Sequence, residues 1–207
     1  MLDPSEPPFE PAVVGSARRV SEASIAWTLV ASTIAVGLGL ASGSSALVAF
    51  GFVGYVDLVG SVALVHHFRH AQRTEELSDQ FEQRAHRIVT FGLLAIGLAT
   101  VAISAVRLAG SHNAKTSTAG IVLAAISLVG LTFLATRKVR VARDVPSAAL
   151  RSDGHLSGVG AAQAAVVLLG TLVGAAFSWH WADNIAAIVV GAVAVGIAVV
   201  TLIGDVR

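Results

Sequence analysis

Apolar residues run along this chain in six long stretches, separated by shorter polar segments. Each stretch is about 20 residues long, which is the length that an α-helix needs to cross a hydrocarbon core of roughly 30 Å. The stretches lack the alternation of barrel strands, and helices satisfy every backbone hydrogen bond within lipid. We therefore expect an all-α, polytopic membrane protein with six transmembrane helices, at about Ala23–Ala41, Ser45–Phe68, Ile88–Leu108, Ser117–Ala135, Leu156–Trp179 and Ile185–Ile203.

The positive charges indicate how these helices are oriented. Of the 14 Lys and Arg residues, only Arg107 and Lys115 fall in the connections on one side, and all the others fall on the opposite side. Lys and Arg concentrate in the cytoplasmic connections of membrane proteins. Both termini are therefore predicted to be cytoplasmic.

The polar segments complete the predicted organisation. Residues 1–20 begin with an acidic, Pro-rich stretch, unlike the basic start of a signal peptide, and are expected to form a disordered cytoplasmic tail. Residues 21–207 are expected to form the transmembrane domain, with cytoplasmic connections at Arg69–Arg87 and Thr136–His155. We expect no soluble domain after the sixth helix.

Composition excludes several classes of function. Only 13% of the residues are charged, against about a quarter in soluble proteins, and no basic aromatic patch indicates a nucleic-acid partner. The chain has no cysteine, so any bound metal would use carboxylate, imidazole or carbonyl ligands. No P-loop, HExxH motif or buried nucleophile–base pair is evident. We therefore expect neither an enzyme nor a required cofactor.

Asp57 is the most informative residue, because it lies midway along the predicted second helix. A carboxylate at that depth costs about 2.5–3.5 kcal/mol on insertion scales and normally faces the interior of the bundle. Its neighbours Gly54, Gly60 and Ser61 are small and leave space for an ion, a water or another helix. Asp57 is thus a candidate transport-path residue, and the alternative is a structural Asp that bonds to a neighbouring helix.

Three polar residues of the predicted fifth helix and its entry are further candidates. Asp153 and His155 lie at the cytoplasmic start of that helix, where Asp153 either binds a cation or caps the helix N-terminus. Gln163 lies two turns deeper. It either lines a polar path together with Ser61 or makes an interhelical hydrogen bond.

The first cytoplasmic connection is rich in histidine and acidic residues. His66 and His70 are four residues apart, so on a continuous helix they share a face and could chelate a divalent ion. The segment is either a cytoplasmic metal-collecting surface or a solvated, charge-balanced connector. Its histidines are His66, His67, His70 and His86.

Three motifs resemble parts of the cation diffusion facilitator family, also called the cation efflux family. Ser44–Phe50, followed by Asp57 and Ser61, resembles the second helix of that family. Ser147–Asp153 looks like the entry to its fifth helix, and Ala182–Ile188 resembles the opening of its sixth. Order, spacing and topology agree over about residues 20–205. Because we expect no C-terminal domain, the chain is similar to the short branch that includes the transmembrane protein 163 group.

The resemblance implies efflux of zinc or a related divalent cation by a homodimer that exchanges metal for protons. It also implies two metal ligands on the second helix and two on the fifth. Asp57 matches one of these positions, whereas the other three fall on Val53, Leu156 and Gly160, which cannot bind a metal. The metal site implied by the resemblance is therefore degenerate.

Two functions follow from this combination. The first is a divalent metal cation transporter with a remodelled, oxygen-rich site at Asp57, Asp153 and His155, in a bacterial-type inner membrane. Its cation would be Zn, Mn, Mg, Co or Fe, and an oxygen-rich site favours Mg or Mn over tightly bound Zn. The second is a transport-inactive membrane protein with a structural or partner-binding role, which the residues Val53 and Gly160 would explain.

Overall fold

The structure is a computed structural model that describes residues 11–74, 79–110, 117–144, 148–179 and 181–205. Each of the described helices contains an apolar segment long enough to cross a membrane. The predicted all-α membrane protein with six spanning helices is therefore confirmed. The helices are α1 (Pro11–Ser42), α2 (Ser45–Thr74), α3 (Asp79–Ala109), α4 (Thr118–Asp144), α5 (Ala148–Phe177) and α6 (Ala182–Asp205).

Helix α1 begins ten residues earlier than the predicted boundary of the tail. Residues 11–20 are helical, so the prediction of a disordered tail over residues 1–20 is wrong for that half, while residues 1–10 lie outside the described residues. Extending an existing helix requires no new nucleation. An i,i+4 ion pair of 2.8 Å between Arg18 and Glu22 also supports this first part of α1.

Two predicted cytoplasmic connections are also largely helical. Helix α2 continues to Thr74 and α3 begins at Asp79, so the described residues of the expected connection Arg69–Arg87 are helical. Similarly, α4 continues to Asp144 and α5 begins at Ala148. Hydropathy marks where apolar side chains end, and a helix continues beyond that point through polar residues. The residues from 136 to 144 and from 148 to 155 therefore belong to helices.

The helices pack most extensively as three pairs, α1 with α2, α4 with α5 and α3 with α6. Helix α2 is central, because it also contacts α3, α5 and α6. Close approach depends on glycine: a Cβ added to Gly97 of α3 would lie 2.7 Å from the carbonyl oxygen of Gly191 on α6. Small residues commonly allow such contact between helices in lipid, where packing rather than water exclusion drives association.

One end of the bundle is fixed by a carboxylate from α6. Asp183 accepts hydrogen bonds from the hydroxyl of Ser44, from the backbone N–H of Ser45 at 2.7 Å and from that of Ala46 at 3.3 Å. It therefore satisfies N–H groups at the start of α2 that have no partner within that helix. Arg107 of α3 donates to the hydroxyl of Ser45 at 2.9 Å. We call this arrangement the α2 cap.

The turn that precedes α2 is tight, and its geometry explains one glycine. Gly43 has a φ of +74°, in the left-handed region that glycine adopts without strain. Its carbonyl oxygen accepts a hydrogen bond of 3.0 Å from Arg107. The α1–α2 turn is therefore tied to the same end of α3 as the α2 cap.

Candidate cation site

A cavity of about 40 Å³ lies in the centre of the bundle, and all six helices contribute to its wall. A single buried water needs roughly 10–15 Å³ on this measure. The cavity thus has room for a small ion together with a water or two. Most of its wall is apolar, with Phe50, Leu93 and Leu131 among the lining residues.

Asp57 lies in the wall of this cavity, as its position on α2 led us to expect. Its Oδ1 atom is buried and accepts no hydrogen bond from the residues that the structure describes. An unpaired carboxylate in apolar surroundings is costly unless a proton or a cation accompanies it. Asp57 therefore presents an oxygen ligand to the interior of the cavity.

Three further polar groups line the same cavity. The Nε2 of Gln163, the Oγ1 of Thr28 and the Nε1 of Trp27 are buried, and within the described part of the chain they have no hydrogen-bond partner. Gln163 was predicted from the sequence as a path residue, and the structure places it beside the cavity. Among the described residues, its Nε2 forms no interhelical hydrogen bond. The cavity therefore holds both donors and acceptors that can solvate a small polar guest.

Thr28 and Trp27 were missed by the sequence analysis. A hydroxyl or an indole in a transmembrane helix is common, so neither stands out singly. The available signal was spacing: Ser21, Ser24, Thr28 and Ser32 recur at helical intervals along α1 and are all buried. That stripe predicts a polar face on the first helix, and its inner members, Thr28 and Ser32, both line the cavity.

The three positions at which the resemblance implied ligands also line this cavity. Val53 on α2 and Leu156 and Gly160 on α5 form part of its wall next to Asp57. The positions implied by the resemblance therefore lie around one cavity, and apolar residues or glycine occupy three of them. Among the described residues, no group of three or more His, Asp or Glu side chains could hold a metal ion.

A second polar cluster centres on Asp153 of α5. Its Oδ1 accepts a hydrogen bond of 3.0 Å from Ser61 of α2. The ammonium nitrogen of Lys138 on α4 forms an ion pair with Oδ2 at 2.7 Å. Lys138 also donates a hydrogen bond of 2.9 Å to the hydroxyl of Ser157. We call these four residues the Lys138 cluster.

The Lys138 cluster is buried. Lys138 is 0% exposed and Asp153 is 5% exposed. The sequence predicts that Lys138 lies in a cytoplasmic connection, whereas the structure places it inside α4 with its charge enclosed. It also excludes the cap proposed for Asp153, since α5 begins five residues earlier, at Ala148. Asp153 is thus an interhelical residue.

The cluster adjoins the cavity. Ser61 follows Asp57 by one helical turn, so both side chains lie on the same face of α2. Ser157 follows Leu156, which lines the cavity on α5. On α2, Asp57 thus lies one turn from the residue that donates to Asp153, and Asp153 lies 2.7 Å from the ammonium of Lys138. The carboxylates of Asp57 and Asp153 and the ammonium of Lys138 therefore lie in one part of the bundle.

The structure does not bring His155 into this region. Its side chain is exposed, whereas Asp57 Oδ1 and Asp153 are buried. Of the three residues predicted to form a metal site, Asp57 and Asp153 are thus close together and His155 faces away from them.

The predicted metal-collecting histidines lie on two helices. His66, His67 and His70 lie near the end of α2, and His86 lies on α3. The side chain of His66 is exposed, and the side chains of the other three fall outside the described part of the chain. Metal collection by these residues stays a prediction.

Comparison with known proteins adds one match. A family model described as the cation efflux transmembrane domain matches residues 22–205, a range that includes the cavity and the Lys138 cluster. A search of the curated proteins gives no match.

Proposed function

The chain belongs to the cation efflux family, and we propose that it carries a divalent metal cation across the membrane through the central cavity, with Asp57 as the principal ligand. The observation that supports this function is the buried Oδ1 of Asp57, which faces a cavity walled by all six helices. In membrane proteins, an ionisable side chain that faces such an interior commonly belongs to a substrate path.

The chemistry of the cavity favours a hard cation. Asp57 supplies a carboxylate, Thr28 a hydroxyl, and rotation of the Gln163 amide would present its carbonyl oxygen. Oxygen ligands suit Mn²⁺ and Mg²⁺ better than they suit Zn²⁺, which is held most tightly by imidazole and thiolate. We therefore place Mn²⁺ and Mg²⁺ ahead of Zn²⁺, Co²⁺ and Fe²⁺ as the transported ion.

Exchange of metal for protons is part of the proposal. A single carboxylate oxygen can hold a proton or contact a cation, and the two compete for the same lone pairs. After the metal is released, Asp57 would thus carry a proton while the cavity returns to face the side from which metal is taken up. Efflux is the direction that family membership supports.

The orientation, the oligomeric state and the membrane of the protein are proposed on separate grounds. An even number of spans returns the chain to its starting side, and the concentration of Lys and Arg on one set of connections supports cytoplasmic termini. A homodimer, an inner membrane of bacterial type and the short branch of the family rest on the sequence resemblance.

The test is Mn²⁺ uptake into proteoliposomes containing the purified protein. We expect Asp57→Asn to abolish uptake while the melting temperature in detergent stays close to that of the wild type. The matched control is Glu22→Gln, which removes a half-exposed carboxylate of α1 and should transport normally.

Two results would count against transport through Asp57. Normal uptake by the Asp57→Asn protein would exclude Asp57 as the ligand. No wild-type uptake of Mn²⁺, Mg²⁺, Zn²⁺, Co²⁺ or Fe²⁺ would instead favour the transport-inactive alternative.

A further inference from the structure

We propose that Lys138 is a built-in competitor of the transported cation: its ammonium holds Asp153 away from the cavity guest and so lowers the affinity of the Asp57 site for divalent metal. This inference rests on the proposed function, because it assigns the residue that tunes the same site. It concerns a side chain that the ligand positions implied by the resemblance do not include.

The ammonium of Lys138 is enclosed within the bundle. The side chain is 0% exposed, although lysines at helix ends in membranes normally extend to the interface. Its charge is compensated by Asp153 at 2.7 Å and by the hydroxyl of Ser157 at 2.9 Å. Lys138 therefore behaves as an internal cation fixed to the protein.

This internal cation lies at the edge of the cavity. Leu131, which lines the cavity, precedes Lys138 by seven residues, so both lie on one face of α4. Side chains on a helix lean toward its N-terminus, which here is the direction of the cavity. Ser157, which accepts from the ammonium, is itself flanked along α5 by the cavity residues Leu156 and Gly160.

The charges of Asp57, Asp153 and Lys138 affect one another. Asp57 lies one helical turn before Ser61, which donates a hydrogen bond of 3.0 Å to Asp153, and Asp153 lies 2.7 Å from the ammonium of Lys138. A divalent cation on Asp57 would therefore meet repulsion from the ammonium and attraction from the second carboxylate. With Lys138 present, the three groups carry a summed charge of −1 when all are ionised. Without it they carry −2, which is the charge that neutralises a divalent ion. Lys138 therefore works against tight divalent binding.

Asp153 retains the capacity to bind a metal ion. Its Oδ2 is paired with the ammonium of Lys138, whereas the hydrogen bond from Ser61 reaches Oδ1. A metal ion that displaced the ammonium could thus use Oδ2 without breaking the contact between Ser61 and Asp153. Weak binding suits a transporter, because the ion must also leave.

The experiment is equilibrium Mn²⁺ binding to the purified full-length chain in nanodiscs, measured by the loss of the free-Mn²⁺ electron paramagnetic resonance signal. We expect Lys138→Met to bind Mn²⁺ at least tenfold more tightly than the wild type. The double variant Lys138→Met/Asp153→Asn should return to within about twofold of the wild type, because the second carboxylate is then lost. The matched control is Arg137→Met, an exposed neighbouring cation on α4, which should leave binding unchanged.

A second variant keeps the test decisive if Lys138→Met does not fold. Lys138→Gln removes the charge and keeps a donor for Ser157, so it should show the same gain. Unchanged or weaker Mn²⁺ binding by the folded Lys138→Gln protein would overturn the inference and leave the Lys138 cluster a purely structural contact.

The Asp57→Asn variant separates this inference from the proposed function. If Asp57→Asn abolishes binding and Lys138→Gln changes nothing, the function stands and the inference is overturned. If Asp57→Asn binds as the wild type does, the assignment of Asp57 is overturned, and with it the statement that Lys138 lowers the affinity of the Asp57 site.

Discussion

Ser61 on α2 donates a hydrogen bond of 3.0 Å to Asp153 on α5, and this contact joins the helix that carries Asp57 to the helix that carries Gln163. Both residues are buried, Ser61 at 1% and Asp153 at 5% exposure. The contact lies one turn from Asp57 along α2. It therefore sets the spacing between α2 and α5 at the edge of the cavity.

Replacing Ser61 tests how much this contact stabilises the bundle. Ser61→Ala leaves a buried, charged acceptor without its donor, so we expect a loss of about 1–3 kcal/mol in the free energy of unfolding. The measurement is denaturant unfolding in detergent micelles. Thr33→Val is the control, since it removes an exposed hydroxyl bond to Tyr55 and should cost less. Equal losses for the two variants would show that burial of the Ser61 contact adds nothing.

Gln163→Leu should separate stability from transport. The amide Nε2 is buried without a partner among the described residues, so an apolar side chain of similar size removes a desolvation cost. We expect the free energy of unfolding to rise by roughly 1 kcal/mol or to stay unchanged. Mn²⁺ uptake should fall at least tenfold. Thermal unfolding and uptake are measured on the same preparation. A destabilised protein would indicate that Gln163 makes a contact on which the fold depends.

Asp183 should be more important for folding than for ion binding. Asp183→Ala removes the acceptor of two backbone N–H groups and one hydroxyl at the α2 cap. Loss of an N-terminal cap typically costs about 0.5–2 kcal/mol, and we expect the upper part of that range because the site is buried. Asp183→Asn retains one acceptor oxygen and should lose less. Mn²⁺ affinity of the folded fraction should not change in either variant.

Gly97 and Gly37 form a matched pair for testing helix packing. A Cβ at Gly97 would meet the backbone of Gly191, whereas no described atom lies within 4 Å of a Cβ at Gly37. We expect Gly97→Ala to destabilise the protein by about 1–3 kcal/mol, because α3 and α6 must separate. Gly37→Ala should be neutral or slightly stabilising, since Ala favours helix. Comparable melting temperatures for the two variants would contradict the close α3–α6 contact.

The six helices and the place of Asp57 could be predicted from the sequence for one physical reason. Lipid requires each span to be long and apolar, and a charge inside such a span must face the bundle interior. The lengths of the apolar stretches therefore predict the six helices, and the one carboxylate in the middle of a stretch predicts the position of Asp57. The position of Gln163 beside the cavity follows from the same rule.

The Lys138 cluster could not be predicted in this way. Lys138 lies three residues beyond the predicted end of its span and next to Arg137, so its pattern is that of an interfacial cation. Its burial depends on Asp153, fifteen residues later and on a different helix. This ion pair depends on how α4 packs against α5, which the residue pattern of either helix alone does not show. The same limit explains why Asp153 was interpreted as a possible cap.

The α2 cap has a mechanical consequence for any opening of the cavity. A helix held at its first turn can move only as a lever about that point, and Asp57 lies twelve residues from the anchored Ser45, a lever arm of about 18 Å. A swing of about 10° would then displace Asp57 by roughly 3 Å, comparable to the 3.0 Å contact of Ser61 with Asp153. Asp183 would act as the pivot, and the far end of α2, with His66, would travel farthest.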